Sequence, residues 1–206
     1  MLEGEKEMNT AQPIRDTADL QKLKAYYKEV NPNRRNHALI ILGLNTALRI
    51  SDILKLKWKD VYDFHTCKYR SHLNIREKKT GKQTRIFLNR NIRAALAPYY
   101  MERLENTGSK EVMEEQYIFL GQKSKTAPIS RIQAFRIIKK AAEECQIDQP
   151  VSSHSLRKTF GYQAWKQGYS PALLTNIYNH SSYKITIRYL GIEQDDRDEV
   201  FRDIIL

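Results

Sequence analysis

The stretch from residue 36 to residue 48, NHALIILGLNTAL, is apolar around almost its whole circumference when wound as a helix. Such a helix has no face suited to water, so it reads as a helix buried inside a domain. A chain of 206 residues, 41% of them hydrophobic, can supply the cover: it is long enough for one well-packed domain, or one domain with an appendage.

Around this helix the sequence alternates helical patterns with one change of period. Residues 1–12 read as a flexible segment. DTADLQKLKAYYKEV, capped by Asp16 or Thr17, repeats Leu20, Leu23 and Tyr27 at helical spacing, and NPNRR breaks it. SDILKLKW reads as a short helix capped by Ser51. The period then drops to two: HLNIR and TRIFL alternate on either side of KKTGKQ, the pattern of a β-hairpin. NRNIRAALAPYYMERLE returns to helix with Pro98 inside it, and YIFL suits a short strand. SRIQAFRIIKKAAEECQ is expected to be a helix capped by Ser130. It would bury Ile132, Phe135, Ile138 and Ala142 and expose Arg131, Arg136, Lys139 and Lys140. SSHSLRKTFGYQAWKQG has Ser152 or Ser153 as its cap and Gly168 at its close; SPALLTNIYN starts with Ser170 and Pro171. SYKITIRYL and QDDRDEVFRDII end the chain as further helical stretches. The fold class is therefore mainly α with a small antiparallel β-sheet (α+β), without internal repeats.

The charge points to a partner. Lysine and arginine number 35 against 24 acidic residues, a net charge of +11, which suits a polyanion such as nucleic acid. After Tyr189 the balance reverses, with Arg197 and Arg202 facing six carboxylates, so the end of the chain is not expected to touch that polyanion. Cys67 and Cys145 suggest neither a disulfide framework nor a zinc site. No apolar run approaches the ~20 residues of a membrane span, and MLEGEKEMNTA lacks an apolar signal core. A soluble cytoplasmic protein with reduced thiols is expected.

Four short stretches hold residues suited to chemistry, and each alone has an ordinary structural reading. In HSLR, His154 and Arg157 lie three apart and share a face that points away from the apolar face of Leu156, Phe160 and Ala164. In TALRISDILKLKW, Arg49 is a costly charge in an apolar setting unless it is paired, Asp52 being one partner, or used. Lys79 sits at the expected hairpin tip. His180 and Tyr189 flank the last short basic helix. Taken together, two arginines, two histidines, a lysine and a tyrosine answer the needs of metal-free phosphodiester transfer. Two guanidinium forks match the extra negative charge on a five-coordinate phosphorus. A lysine with its pKa lowered among arginines can protonate a leaving oxygen. A tyrosine hydroxyl, with a pKa of ~10, becomes a nucleophile when cationic neighbours or a base activate it. No carboxylate or thiolate cluster is among these groups, and no metal or cofactor is expected.

The order Arg, Lys, His-x-x-Arg, His, Tyr resembles that of the tyrosine recombinases, the phage-integrase family, from about residue 13 to residue 191. TALRISDILKLKWKDV is similar to the family's first-arginine box and EKKTGKQTRIFL to its lysine hairpin, where the lysine before the Thr-Gly pair is Lys79. SSHSLRKTFG resembles the His-x-x-Arg box and YNHSSYKITIRYLGI the final box, in which Asn179 stands where the family usually has glycine.

The resemblance implies a catalytic domain over 13–191 and an acidic tail helix over 192–206. It implies a site-specific recombinase or integrase acting on double-stranded DNA without metal or ATP. Tyr189 would form a 3′-phosphotyrosyl link from a mobile short helix, Arg49 and Arg157 would clamp the phosphate, and Lys79 would protonate the leaving 5′-oxygen. His154 would assist proton transfer at the tyrosine, and His180 would bond the phosphate. In the family the segment after the tyrosine often docks on a neighbouring subunit, so self-association into a tetrameric synapse through the tail is expected. Most members carry a helical core-binding domain before the catalytic one, whereas about a dozen residues precede the resemblance here. The chain is then either a piece of a longer protein or a short, catalytic-domain-only type. Two other readings stand beside it: a type IB-like topoisomerase, and a non-catalytic DNA-binding accessory that keeps the fold.

Overall fold

A computed structural model describes residues 11–121, 126–192, 198 and 201–205. Helix α1 (Thr17–Ala25) is capped by Asp16, whose carboxylate accepts from the Asp19 backbone N–H at 2.8 Å. It runs into a π-helical turn, Tyr26–Val30, before the NPN break. The apolar stretch forms α2 (Arg34–Asn45), capped by Asn33 and buried at every position from Ala38 to Leu44. Helices α3 (Ile50–Ile53) and α4 (Trp58–Val61) follow. A two-residue ribbon pairs β1 (Tyr62–Asp63) with β2 (Lys68–Tyr69), and the main hairpin pairs β3 (His72–Arg76) with β4 (Gln83–Phe87). The remaining helices are α5 (Arg90–Thr107), α6 (Lys110–Glu114), α7 (Arg131–Glu144), α8 (Ser153–Lys166), α9 (Pro171–Tyr178) and α10 (Tyr183–Leu190).

Helix α2 packs against α1, α3, α5, α7 and α8, as a helix apolar on all sides must. Its approach to α8 is close enough that a Cβ on Gly43 would lie 2.7 Å from Leu156 Cδ1. One apolar cluster joins Leu39, Leu42, Trp58, Tyr99, Tyr100 and Phe119; a second joins Ile14, Leu23, Ile40, Ile138 and Leu156. A third, built from Ala47, Tyr162, Leu174, Tyr178, Ile187 and Leu190, underlies the candidate site. There, a Cβ on Gly161 would fall 2.6 Å from Leu190 Cδ2, so glycine is what lets α10 dock flush on α8.

Several local expectations are corrected. Ser51 lies inside α3, and Arg49 occupies the N-cap position without a side-chain cap bond. YIFL forms isolated bridges, Lys57 to Tyr117 and Leu120 to Pro128, rather than a strand. Pro98 sits within α5, whose neighbouring Leu96, Tyr99 and Tyr100 are buried; their packing outweighs the lost backbone bond. Helix α7 buries Ala134, Ile138, Ala141 and Ala142, while Ile132 and Phe135 are exposed beside the basic residues. Small alanines let α7 approach its neighbours, and that close packing sets its rotation. A second ribbon joins the expected hairpin. Cys67 and Cys145 are both free thiols. Among the described residues no helix is long and apolar enough to cross a membrane.

In the tail, Asp198 and residues 201–203 are helical. Phe201, Ile204 and Ile205 are exposed, at 82%, 62% and 90%, so these three positions of the apolar stripe are not packed on the domain. Val200 lies outside the described residues.

Candidate active site

The two arginines are held in opposite ways. Arg157 is buried on α8, not pointed away from the core as its helical face suggests. Its guanidinium donates to the Ala47 carbonyl and, at 3.2 Å, to the Tyr178 carbonyl, and it lies 4.7 Å over the Tyr178 ring. The Tyr178 hydroxyl returns a 2.6 Å bond to the Arg157 carbonyl. Burial lowers the Arg157 pKa, but from so high a starting point that the group stays charged. These bonds are why a charge can sit in the core: two backbone carbonyls accept from the guanidinium and the ring face supplies a further attraction.

Arg49, at the start of α3, makes an ion pair with Glu77, a carboxylate only 1% exposed. Asp52, the partner its spacing suggested, instead accepts the Lys78 backbone N–H at 3.0 Å through Oδ1. The second Asp52 oxygen, Oδ2, is buried and has no hydrogen-bond partner among the described residues. The turn before Arg49 places Ala47 at a left-handed φ of 54°, which aims its carbonyl at Arg157. One turn thereby links both arginines.

Lys79 occupies the middle of the hairpin loop, exposed to solvent. His154 is in the first turn of α8. Desolvation, then the charges of Arg157, Lys158, Arg49 and Lys79, lower its pKa. His180 follows α9, and its Nδ1 lies 3.0 Å from the Thr186 hydroxyl of α10, which fixes the ring. Burial, with Arg157, Arg49 and Lys79 nearby, pushes the His180 pKa down to about 4, so the ring is neutral at pH 7.

Tyr189 lies on α10 with its ring 5.1 Å from that of His180 and 5.5 Å from that of Tyr178. The Lys158 ammonium stands 5.0 Å over its face. The hydroxyl is buried and makes no well-formed hydrogen bond among the described residues. Burial raises its pKa, while the Arg157 guanidinium and then Arg49 pull it back. Before substrate arrives, Tyr189 is a neutral phenol beside the charges of Lys158, Arg157 and Arg49.

The fold thus gathers Arg49, Arg157, His180 and Tyr189 directly, and brings Lys79 and His154 within reach of the same charges. Sequence reasoning missed Glu77, Lys158 and Tyr178. Only Glu77, an acidic residue just before the loop lysines, carried a signal that could have singled it out.

A mostly helical domain of this topology, with these basic groups around one tyrosine, is that of a tyrosine recombinase catalytic domain. The sequence matches the phage integrase family over residues 16–195, and the chain belongs to that family. It is 39% identical to the probable integrase/recombinase YoeC of Bacillus subtilis (strain 168), over 91% of this chain and 93% of that protein. It is 29% identical to the type 1 fimbriae regulatory protein FimE of Escherichia coli (strain K12), over 75% and 73%. Among solved structures, XerA recombinase superposes with a TM-score of 0.72 at 20% identity, over 94% of this chain and 65% of that one. XerH recombinase in its post-cleavage complex with palindromic difH gives 0.70 at 18% identity, over 95% and 54%. The chain thus spans nearly all of YoeC and two thirds or less of these two crystallised recombinases.

Proposed function

We propose that this protein is a site-specific DNA recombinase that cuts and rejoins double-stranded DNA through a 3′-phosphotyrosyl link at Tyr189, without metal or ATP. The observation that carries this reading is the Tyr189 hydroxyl itself, buried next to the Arg157 guanidinium without a well-formed hydrogen bond among the described residues. An unpartnered buried hydroxyl is costly unless a substrate group completes it.

In the proposed reaction Arg49 and Arg157 hold the non-bridging oxygens of the scissile phosphate with the N–H groups their protein partners leave free. The Tyr189 oxygen attacks phosphorus and passes its proton towards His154. The bond from phosphorus to the 5′-oxygen breaks, and Lys79 gives that oxygen a proton. His180, neutral and held through Nδ1, presents its other ring nitrogen to the phosphate. The tyrosyl phosphodiester keeps the energy of the broken bond, so rejoining needs no nucleotide. Action on chromosomal or mobile-element DNA would place the protein in the cytoplasm.

A nicked suicide duplex, which lets the free end diffuse away, tests this directly. The protein should become covalently trapped in EDTA, and Tyr189→Phe should bind the duplex yet form no adduct. An adduct in Tyr189→Phe, or cleavage that appears only with added magnesium, overturns the reading.

The tail belongs to the same proposal. The exposed Phe201, Ile204 and Ile205 support docking on a neighbouring subunit within a tetrameric synapse. Truncation after Ile192 should reduce synapsis and recombination more than single-strand cleavage. A truncated protein that assembles and recombines like the full chain would remove the tail from the mechanism.

A further inference from the structure

A carboxylate buried inside a site meant to receive a phosphate is unexpected. It repels the substrate and is costly to desolvate. Glu77 is such a group, and all its acceptor capacity is used. Oε2 takes Arg49 and, at 3.3 Å, the Thr80 hydroxyl; Oε1 takes the Thr84 hydroxyl at 3.0 Å and Asn179 Nδ2 at 2.6 Å. The Asn179 amide also donates to Thr84 Oγ1 at 3.2 Å. At 1% exposure Glu77 cannot meet DNA itself. Burial alone would raise its pKa, but the bonds from Asn179 and Thr84 and the Arg49 charge outweigh it, so the carboxylate stays ionised.

The partners come from three separate segments. Arg49 precedes α3, Thr80 follows Lys79 in the hairpin loop and Thr84 lies on β4 just beyond it, and Asn179 joins Tyr178, whose carbonyl anchors Arg157, to His180. Asn179 ends α9 in the left-handed region, φ 55°, where glycine is the unstrained choice and asparagine is tolerated. Glycine would leave the backbone intact but supply no donor.

We propose, on the recombinase reading above, that Glu77 and Asn179 are positioning residues: a buried carboxylate–amide tether that sets Arg49, the Lys79 loop and the His180 loop in register before DNA arrives. Glu77 takes one N–H of Arg49, whose side chain stays 17% exposed. Asp52 holds the Lys78 backbone from the other side, so the lysine loop is pinned at both flanks. The cost of the buried negative charge falls on DNA affinity, and the benefit falls on the chemical step.

That division makes the test specific. Single-turnover trapping on the suicide duplex, DNA affinity and melting temperature are measured for each variant. Glu77→Gln removes the charge and keeps the shape. It should bind DNA as tightly as the parent or a few-fold tighter, yet cleave on the order of 10-fold slower or worse, the loss of a charge-assisted bond. Asn179→Gly relieves the backbone, so its melting temperature should hold or rise while cleavage falls by roughly 10-fold. Asn179→Asp sets two carboxylates together and should fall by on the order of 100-fold. Adding Glu77→Gln to it restores a donor–acceptor pair and should recover about 10-fold of that loss. Amide exchange at Gly81, whose N–H bonds the Glu77 carbonyl, should quicken in Asn179→Gly whatever the chemistry. Faster exchange with no adduct even in the parent would keep the tether and sink the recombinase reading. Parental cleavage in both Glu77→Gln and Asn179→Gly, or a double variant no better than Asn179→Asp, would overturn the tether.

Discussion

The two ends of the candidate site are built by different physics. At the tyrosine end, Arg157 on α8, His180 just after α9 and Tyr189 on α10 stand over an apolar cluster, with Leu174, Tyr178 and Leu190 fully buried beneath them. At the lysine end, the exposed Lys79 rides a six-residue loop between β3 and β4, held by polar bonds from Asp52 and around the buried Glu77. Packing fixes the first end as a consequence of folding. The second is set by an ion pair and hydrogen bonds rather than by apolar packing. A group that must meet developing charge in a water-poor site gains from the rigidity of the first, while one that must follow a leaving oxygen can sit on the second.

If so, substitutions at the two ends should separate stability from chemistry. The largest effect is expected for Arg157→Lys. A single ammonium cannot serve the Ala47 and Tyr178 carbonyls and still clamp a phosphate. Cleavage should fall by on the order of 100- to 1000-fold, and the melting temperature should drop by several degrees because buried carbonyls lose a partner at about 1–3 kcal/mol each. A stable, active lysine variant would break the comparison at its buried end.

Lys79→Ala should slow cleavage by roughly 100-fold or more through the lost proton, while leaving the melting temperature within about 1 °C, as an exposed loop position does. A duplex with sulfur at the 5′-bridging position needs little protonation and should restore most of the rate. Equal slowing on oxygen and sulfur substrates would make Lys79 a binding residue.

The smallest effect concerns pH. His180 has its folded pKa pushed down to about 4, below the ~6.5 of an unfolded histidine. Between those values the unfolded chain binds the extra proton, so His180 costs stability as pH falls through that window and nothing above it. Because the ring is partly exposed, the cost is on the order of 1 kcal/mol. The difference in melting temperature between parent and His180→Asn, followed from pH 7 to pH 4, should shift in favour of the variant. A flat difference would mean that the ring is better solvated than its surroundings imply.

Residues whose role follows from period or chemical type were legible in the chain. The apolar run of α2, the alternation of β3 and β4, and the serine caps of α7, α8 and α9 are local patterns, and local sequence is what sets them. The six residues of the candidate site were legible as a set because few chemistries need that combination in one chain. Other features depended on neighbours that the sequence does not name. Arg157 turned inward because Ala47 and Tyr178, 110 and 21 residues away, offered carbonyls to it. Phe135 turned outward because alanines on the opposite face of α7 packed more closely.

The sequence by itself determined a mainly helical chain with a hairpin, a strongly basic body and a set of groups suited to phosphoryl transfer. The tertiary structure alone decided which cation holds which carbonyl or carboxylate. Arg49 found Glu77 rather than Asp52, and Asn179 became a donor to a residue 102 positions away. Such choices are settled by three-dimensional proximity and by the need to satisfy every buried charge, and neither is a property of any short stretch of chain.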